Sequence, residues 1–187
     1  MKKTVIQVQK MIETGILILT KQQVFWHYSI VPFLLVAPLM TTFYLFQHLT
    51  NTYTGVRPIE DLAFAYIFVL PAVAFYFIQK RRLKFKVINV SVDKDTFKEA
   101  VYQTSQELKW TIEKTTTLAI VAKSGFNWKS WGERITIIWC SDKILFNSIC
   151  DPDRIPSVAS YGMNKMNRET FEQFLKQNNK THKINSQ

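Results

Sequence analysis

Hydrophobic residues are concentrated in the first 80 positions of this 187-residue chain, where two long apolar runs stand out. The first, VFWHYSIVPFLLVAPLMTTFYLF over 24–46, has 23 residues and no Lys, Arg, Asp or Glu. About 20 apolar residues are enough for a helix to cross a hydrocarbon core of roughly 30 Å. The second, LAFAYIFVLPAVAFYFI over 62–78, has 17 residues and is followed by the basic sequence QKRR. The pattern predicts a transmembrane helical hairpin over 23–80.

The segment before this hairpin has an apolar stripe with helical spacing. Val5, Val8, Ile12, Ile16 and Leu19 recur at intervals of three or four, with polar residues elsewhere on the helical wheel. Such a stripe is typical of a helix lying in the membrane interface. We therefore predict an N-terminal interfacial helix over 1–22.

Basic residues flank the hairpin on its two outer sides, at Lys2, Lys3, Lys10 and Lys21 before it and at Lys80, Arg81, Arg82, Lys84 and Lys86 after it. Between the runs, Arg57 stands against Glu60 and Asp61. By the positive-inside rule, the expected topology is a two-pass protein of the inner membrane with both termini in the cytoplasm.

From Lys84 onward the periodicity changes to that of a small α+β domain, predicted over 83–177. An alternating segment at 85–92 indicates a strand, and Asp93 or Asp95 can cap the helix that follows. Further strands are predicted at 110–114, 118–123, 134–140 and 143–149, followed by a helix capped by Asn167. The fold class is thus a transmembrane hairpin plus a cytoplasmic α+β domain with an antiparallel sheet, in the order β-α-β-β-β-β-α. We expect both helices on one face of the sheet, the other face open, and a disordered tail over 178–187.

Two aspartates, Asp151 and Asp153, follow an apolar strand in the sequence ILFNSICDPD. This run resembles the start of haloacid-dehalogenase-type phosphatases, which would imply a nucleophile, an acid/base and a magnesium ion. Only 34 residues follow Asp153 and they contain no second acidic motif of that family, so a turn of the Asx type is the favoured interpretation. The three histidines lie outside the predicted folded domain, and we predict no catalytic residue, no metal site and no cofactor.

An aromatic loop, SGFNWKSWGER over 124–134, is a predicted partner-binding site. Trp and Arg are frequent anchors of protein interfaces. The candidate residues are Phe126, Trp128, Lys129, Trp131 and Arg134. The loop could instead cover one end of the sheet, or its aromatic side chains could enter the membrane interface.

The approach to the last helix, SVASYGMNKMNR over 157–168, is a predicted anion-binding site. Free N–H groups at a helix start, hydroxyls and basic side chains are suited to an anion. The candidate residues are Ser157, Ser160, Asn164, Lys165 and Arg168. Capping and turn chemistry alone is the alternative explanation.

This C-terminal part also resembles a known family. Asn147, Ser148 and Cys150, followed by SYGMN over 160–164 and by Arg168, are similar to the closing strand, loop and helix of DUF1499, an uncharacterised membrane-associated bacterial and plastid domain family. Ser160 stands where that family usually has aspartate, and the arginine is displaced. The resemblance covers some 20 residues and implies a domain outline without a known activity.

The net charge of the chain is +10, and from residue 81 onward 18 Lys and Arg stand against 11 Asp and Glu. Basic segments beside a membrane attract anionic lipids, whereas no helix has the basic stripe of a nucleic-acid-binding protein. The expected partners are the lipid bilayer, a membrane or cytoplasmic protein and an anionic lipid, with no nucleic acid. The sequence favours a non-catalytic accessory protein that contacts a protein partner at the membrane surface. The alternatives are a protein that binds anionic headgroups or small anions, and a membrane-bound enzyme that uses the loop before the last helix.

Overall fold

The structure is a computed structural model that describes residues 2–56, 58–125, 132–153 and 162–185. Its first element is helix α1, Lys2–Thr14. The helix ends at Gly15, whose φ of 64° lies in the left-handed region that favours glycine. Helix α2, Lys21–Tyr28, follows and begins with a capping box, in which Thr20 and Gln23 each accept a hydrogen bond from the other's backbone N–H.

Two long apolar elements come next. Helix α3 is Ile30–Leu49, and the second element consists of helix α4, Ile59–Leu62, a 3-10 segment, Ala63–Phe68, and helix α5, Val69–Arg82. Ile30–Leu49 and Glu60–Arg82, of 20 and 23 residues, are long and apolar enough to cross a membrane. Only 11% and 6% of their most apolar windows are buried within the chain, so they are not the core of the neighbouring sheet. The two apolar helices predicted from the sequence are confirmed. The first begins at Ile30 rather than at residue 24, because a turn at Ser29 separates it from α2.

Polar contacts join these two elements. The Thr41 hydroxyl donates to the Leu62 carbonyl at 3.1 Å, and the hydroxyls of Thr42 and Tyr66 lie 3.0 Å apart. Closer to the sheet, Gln79 Nε2 donates to the His27 carbonyl at 2.8 Å, and His27 Nε2 lies 3.0 Å from the Gln79 carbonyl. These bonds fix helix α2 and helix α3 against the second element.

The sheet contains five antiparallel strands. In chain order they are β1, Lys86–Ile88; β2, Trp110–Thr115; β3, Ala119–Ser124; β4, Glu133–Trp139; and β5, Ile144–Cys150. Helix α6, Lys94–Glu107, lies between β1 and β2, and its N-cap Asp93 accepts bonds from Asp95 and Thr96. The spatial order is β1-β5-β4-β3-β2, which differs from the order along the chain because β1 pairs with β5.

Both faces of the sheet are covered. Alternate residues of a strand point to opposite faces: Ile135 and Ile137 of β4 pack towards α6 and the last helix, whereas Ile138 packs on the other side with Val8 and Met11 of α1. The expectation of one open face is therefore wrong. The apolar stripe assigned to a membrane-interfacial helix packs in part against the sheet, because β4 and β5 expose an apolar second face that α1 buries.

The last helix, α7, is Met163–Asn185, longer in both directions than predicted. Asn167 lies inside it and is fully buried, so its assignment as N-cap is wrong. The helix continues through residues 178–185, which were predicted to be disordered, and Asn178 donates a hydrogen bond to Gln103 of α6. This bond ties the helix to α6 at a position where the polar sequence shows no apolar stripe.

Candidate functional site: a basic cavity beside the second apolar helix

A cavity of about 500 Å³ lies where the end of α5 meets the sheet and the beginning of α7. We call it the basic cavity. Its lining residues come from the end of α5, from the segment leading into β1, from β1 itself, from β5 and from α7: Ile78, Arg81, Arg82, Lys84, Lys86, Phe146, Asn147, Ser148, Asn164, Lys165 and Arg168. Its volume is within the range of small-molecule binding sites, roughly 300–1,000 Å³.

Asn147 holds the end of α5 against the sheet. Its Nδ2 donates to the carbonyls of Arg82 at 2.9 Å and Lys84 at 3.1 Å, and the adjacent Phe146 pairs with Lys86 in the sheet. The Asn147 Oδ1 atom is buried and accepts no hydrogen bond from the described residues. A bound water or a ligand hydroxyl is the chemistry that would satisfy it.

The part of the wall formed by β5 and α7 is fixed by a hydrogen-bonded chain. Ser148 Oγ donates to Asn164 Oδ1 at 3.1 Å and accepts from Asn167 Nδ2 at 3.1 Å. Asn167 Oδ1 in turn accepts from Trp110 Nε1 at 3.2 Å. Because these groups are packed inside the sheet domain, the first turns of α7 have a defined position relative to β5.

The charge of the cavity wall is strongly one-sided. Six lining residues are Lys or Arg, and the lining contains no Asp or Glu. Arg81, Arg82, Lys84 and Lys86 make no salt bridge with any residue in the described ranges. These four cations therefore have no acidic partner among the described residues.

The two cations on α7 are partly neutralised. Lys165 Nζ lies 3.7 Å from Glu169, and Arg168 Nε lies 3.3 Å from Glu172. The latter contact lacks hydrogen-bond geometry, so the buried Nε–H of Arg168 has no acceptor among the described residues. The Lys165–Glu169 pair is exposed, and pairs of this kind contribute about 0–1 kcal/mol and leave the cation free to contact a ligand.

Asp151 and Asp153 form a separate cluster. The Asp153 N–H donates to Asp151 Oδ1 at 3.1 Å, which confirms the predicted Asx turn. Lys123 Nζ lies 3.1 Å from Asp151 and 3.4 Å from Asp153, and Arg134 Nη1 lies 2.6 Å from Asp153. Each carboxylate thus faces a cation, as in a structural ion-pair cluster.

The surroundings of Asp153 also determine its acidity. Partial burial would raise the pKa of this carboxyl, but the hydrogen bond from Gln23 and the charges of Arg134 and Lys123 outweigh burial and lower the pKa below its ordinary value. The pKa of Lys123 is raised, because its bonds to Glu113 and Asp151 outweigh the opposing effect of burial. Both groups are therefore charged at neutral pH.

The sequence-predicted site residues fall into two groups. Of the predicted anion site, Asn164, Lys165 and Arg168 line the basic cavity, while Ser157 and Ser160 lie outside the described residues. Of the predicted partner site, Arg134 is paired with Asp153, and Phe126, Trp128, Lys129 and Trp131 lie outside the described residues.

Sequence reasoning missed eight of the eleven residues that line the cavity. The sequence assigns Arg81, Arg82, Lys84 and Lys86 to the orientation of the hairpin and to a general attraction for anionic lipids, and it places Asn147 and Ser148 in a strand without a site. The sequence of β5 could have signalled a site, because the adjacent polar residues Asn147 and Ser148 interrupt an apolar strand and Asn147 is buried. The pairing of β1 with β5, which brings the two sets together, has no local signal in the sequence.

Comparisons with protein-family models, with curated proteins and with solved structures find no match for this chain. The resemblance to the DUF1499 family stays a prediction.

Proposed function

We propose that this protein is a membrane-anchored, non-catalytic protein that binds an anionic phosphate headgroup in the basic cavity. The observation that carries the proposal is the convergence of six basic side chains and no acidic one on a single cavity at the end of an apolar helix. Phosphate groups pair well with Arg and Lys, and Arg binds them with two parallel hydrogen bonds.

The position of the cavity favours a membrane lipid as the source of the phosphate. Ile78, in the last turns of α5, lines the cavity and is 44% exposed. Arg81 and Arg82 follow it within one helical turn. If Glu60–Arg82 spans a bilayer, this turn lies at the headgroup layer, so a lipid can place its phosphate among the cations and its chains beside Ile78.

The same proposal includes the topology expected from the sequence, with both termini and the sheet domain in the cytoplasm. Basic residues are then on the side where anionic lipids attract them. The topology is testable after replacement of Cys140 and Cys150 by alanine. A Thr54→Cys variant should react with a membrane-impermeant thiol reagent in intact cells, and an Asp142→Cys variant should react only after the cells are opened. The reverse pattern would exclude this orientation.

Headgroup binding is tested with the full chain purified in a mild detergent. Dioleoyl phosphatidylglycerol and dioleoyl phosphatidylcholine are titrated separately, and bound lipid is measured by native mass spectrometry. We expect retention of the anionic lipid, and a loss of affinity of roughly 30-fold in the Arg81→Gln/Lys84→Gln double variant, since each cation near a lipid surface contributes about 1 kcal/mol.

Lys80→Gln is the matched control. Lys80 is on the last turn of α5 next to Arg81, but it does not line the cavity. If basic residues attract anionic lipids only in a general way, Lys80→Gln should lower lipid affinity as much for each charge removed as the double variant does. If the cavity is a specific site, Lys80→Gln should lower the affinity less. Equal binding of the two lipids by the unmodified protein would refute the proposal.

A further inference from the structure

We infer that the ligand of the basic cavity carries two phosphate groups, as a diphosphate attached to an apolar chain does. The inference rests on the proposed function and specifies its ligand. Its first support is charge balance. A single phosphodiester has one negative charge, whereas Arg81, Arg82, Lys84 and Lys86 have no acidic partner in the described ranges.

The size of the cavity gives the second support. A phosphate group has about the volume of two to three water molecules, each about 30 Å³, and therefore fills only a small part of a cavity of about 500 Å³. The remaining space is still lined by cations. A ligand with one phosphate therefore neutralises only part of the positive charge of the lining.

The arrangement of the cations on two walls gives the third support. Arg81 and Arg82 extend from α5, whereas Lys165 and Arg168 belong to a different element, α7. Arg168 lines the cavity, although its Nε atom also lies 3.3 Å from the Glu172 carboxylate. Two linked phosphates can each contact one wall, so that both groups of cations contribute to binding.

A diphosphate could belong to a soluble compound or to a lipid, and the apolar side chain of Ile78 distinguishes the two. A soluble diphosphate compound gains nothing from an apolar residue at the end of α5, whereas a lipid-linked diphosphate buries part of its chain there. The shared chemistry is the diphosphate group, and the position of Ile78 favours the lipid as its source.

Three probes test the inference on the full chain in mild detergent: farnesyl diphosphate, farnesyl monophosphate and inorganic pyrophosphate. Binding constants are measured by isothermal titration calorimetry at fixed ionic strength. We expect farnesyl diphosphate to bind at least roughly fivefold more tightly than the monophosphate, because the second phosphate contacts at least one further cation at about 1 kcal/mol each. Pyrophosphate should bind more weakly than farnesyl diphosphate.

An Arg168→Gln variant should reduce the preference for farnesyl diphosphate, whereas Lys176→Gln, an exposed change on the same helix away from the cavity, should keep it.

Equal affinity for the two farnesyl compounds overturns the inference, and the proposed function still stands if phosphatidylglycerol is retained. Pyrophosphate binding as tight as that of farnesyl diphosphate supports the diphosphate group and excludes the lipid source. Absence of binding by all probes and by phosphatidylglycerol overturns both proposals.

Discussion

Gln23 Nε2 donates a hydrogen bond of 2.9 Å to Asp153 Oδ1, and the two residues are 130 positions apart in the chain. Gln23 belongs to α2, which leads into the first apolar helix, and Asp153 follows β5 directly. This bond therefore joins the part of the chain before the apolar helices to the sheet domain. Arg134, at 2.6 Å, holds the same carboxylate from β4.

We expect Asp153→Asn to lower the free energy of unfolding by about 1 kcal/mol. The substitution removes the charge that pairs with Arg134 and Lys123, and the estimate is kept small because Asp153 is partly exposed to solvent. Thermal unfolding of the full chain in detergent measures the change. Asp142→Asn, in the exposed turn between β4 and β5, is the control and should leave stability unchanged. Equal effects of the two variants would mean that the ion pairs at Asp153 contribute nothing.

The effect of Asp153→Asn should depend on pH. The pKa of Asp153 in the folded protein is lowered from its ordinary value of 3.8. Its stabilising contribution is therefore fully present above that value and is lost as the pH falls through the lower, folded-state pKa. We expect the free energies of unfolding of the unmodified protein and of the Asp153→Asn variant to converge as the pH is lowered from neutral to about pH 3. A constant difference over this range would contradict the role of the carboxylate charge.

Asn167→Ala should destabilise the sheet domain by about 1–3 kcal/mol, since it leaves the buried indole N–H of Trp110 without its acceptor. The same change removes the donor to Ser148 and loosens the wall of the basic cavity. Gln173→Ala, an exposed substitution on the same helix, should have an effect within about 0.5 kcal/mol. Chemical denaturation followed by tryptophan fluorescence compares the two, and similar midpoints would refute the buried hydrogen-bonded chain.

The packing of α1 on the sheet is tested by two apolar residues of the same helix. Met11 is 8% exposed and contacts the second core, whereas Ile6 is 67% exposed. Met11→Ala should lower stability by about 2 kcal/mol or more, and Ile6→Ala by much less. If the helix instead lay in the membrane with no contact to the sheet, both changes would leave the unfolding of the sheet domain unaffected.

The local elements of this fold could be predicted from the sequence because their causes are local. Continuous apolar runs without charges predict helices long enough to cross a bilayer. The mainly apolar runs of β4 and β5, and the Asp93 cap of α6, likewise depend on neighbours a few positions away. The Asx turn at Asp151 and Asp153 belongs to the same class.

The tertiary structure alone decided which of these elements meet. The pairing of β1 with β5 brings Lys84 and Lys86 beside Asn147, and the packing of α7 adds Arg168 to the same cavity. The apolar stripe of α1 is compatible with a membrane surface or with a sheet, because both bury apolar side chains. The sequence by itself determined the elements and the excess of positive charge. The convergence of that charge on one cavity depends on contacts between distant residues, which no local pattern encodes.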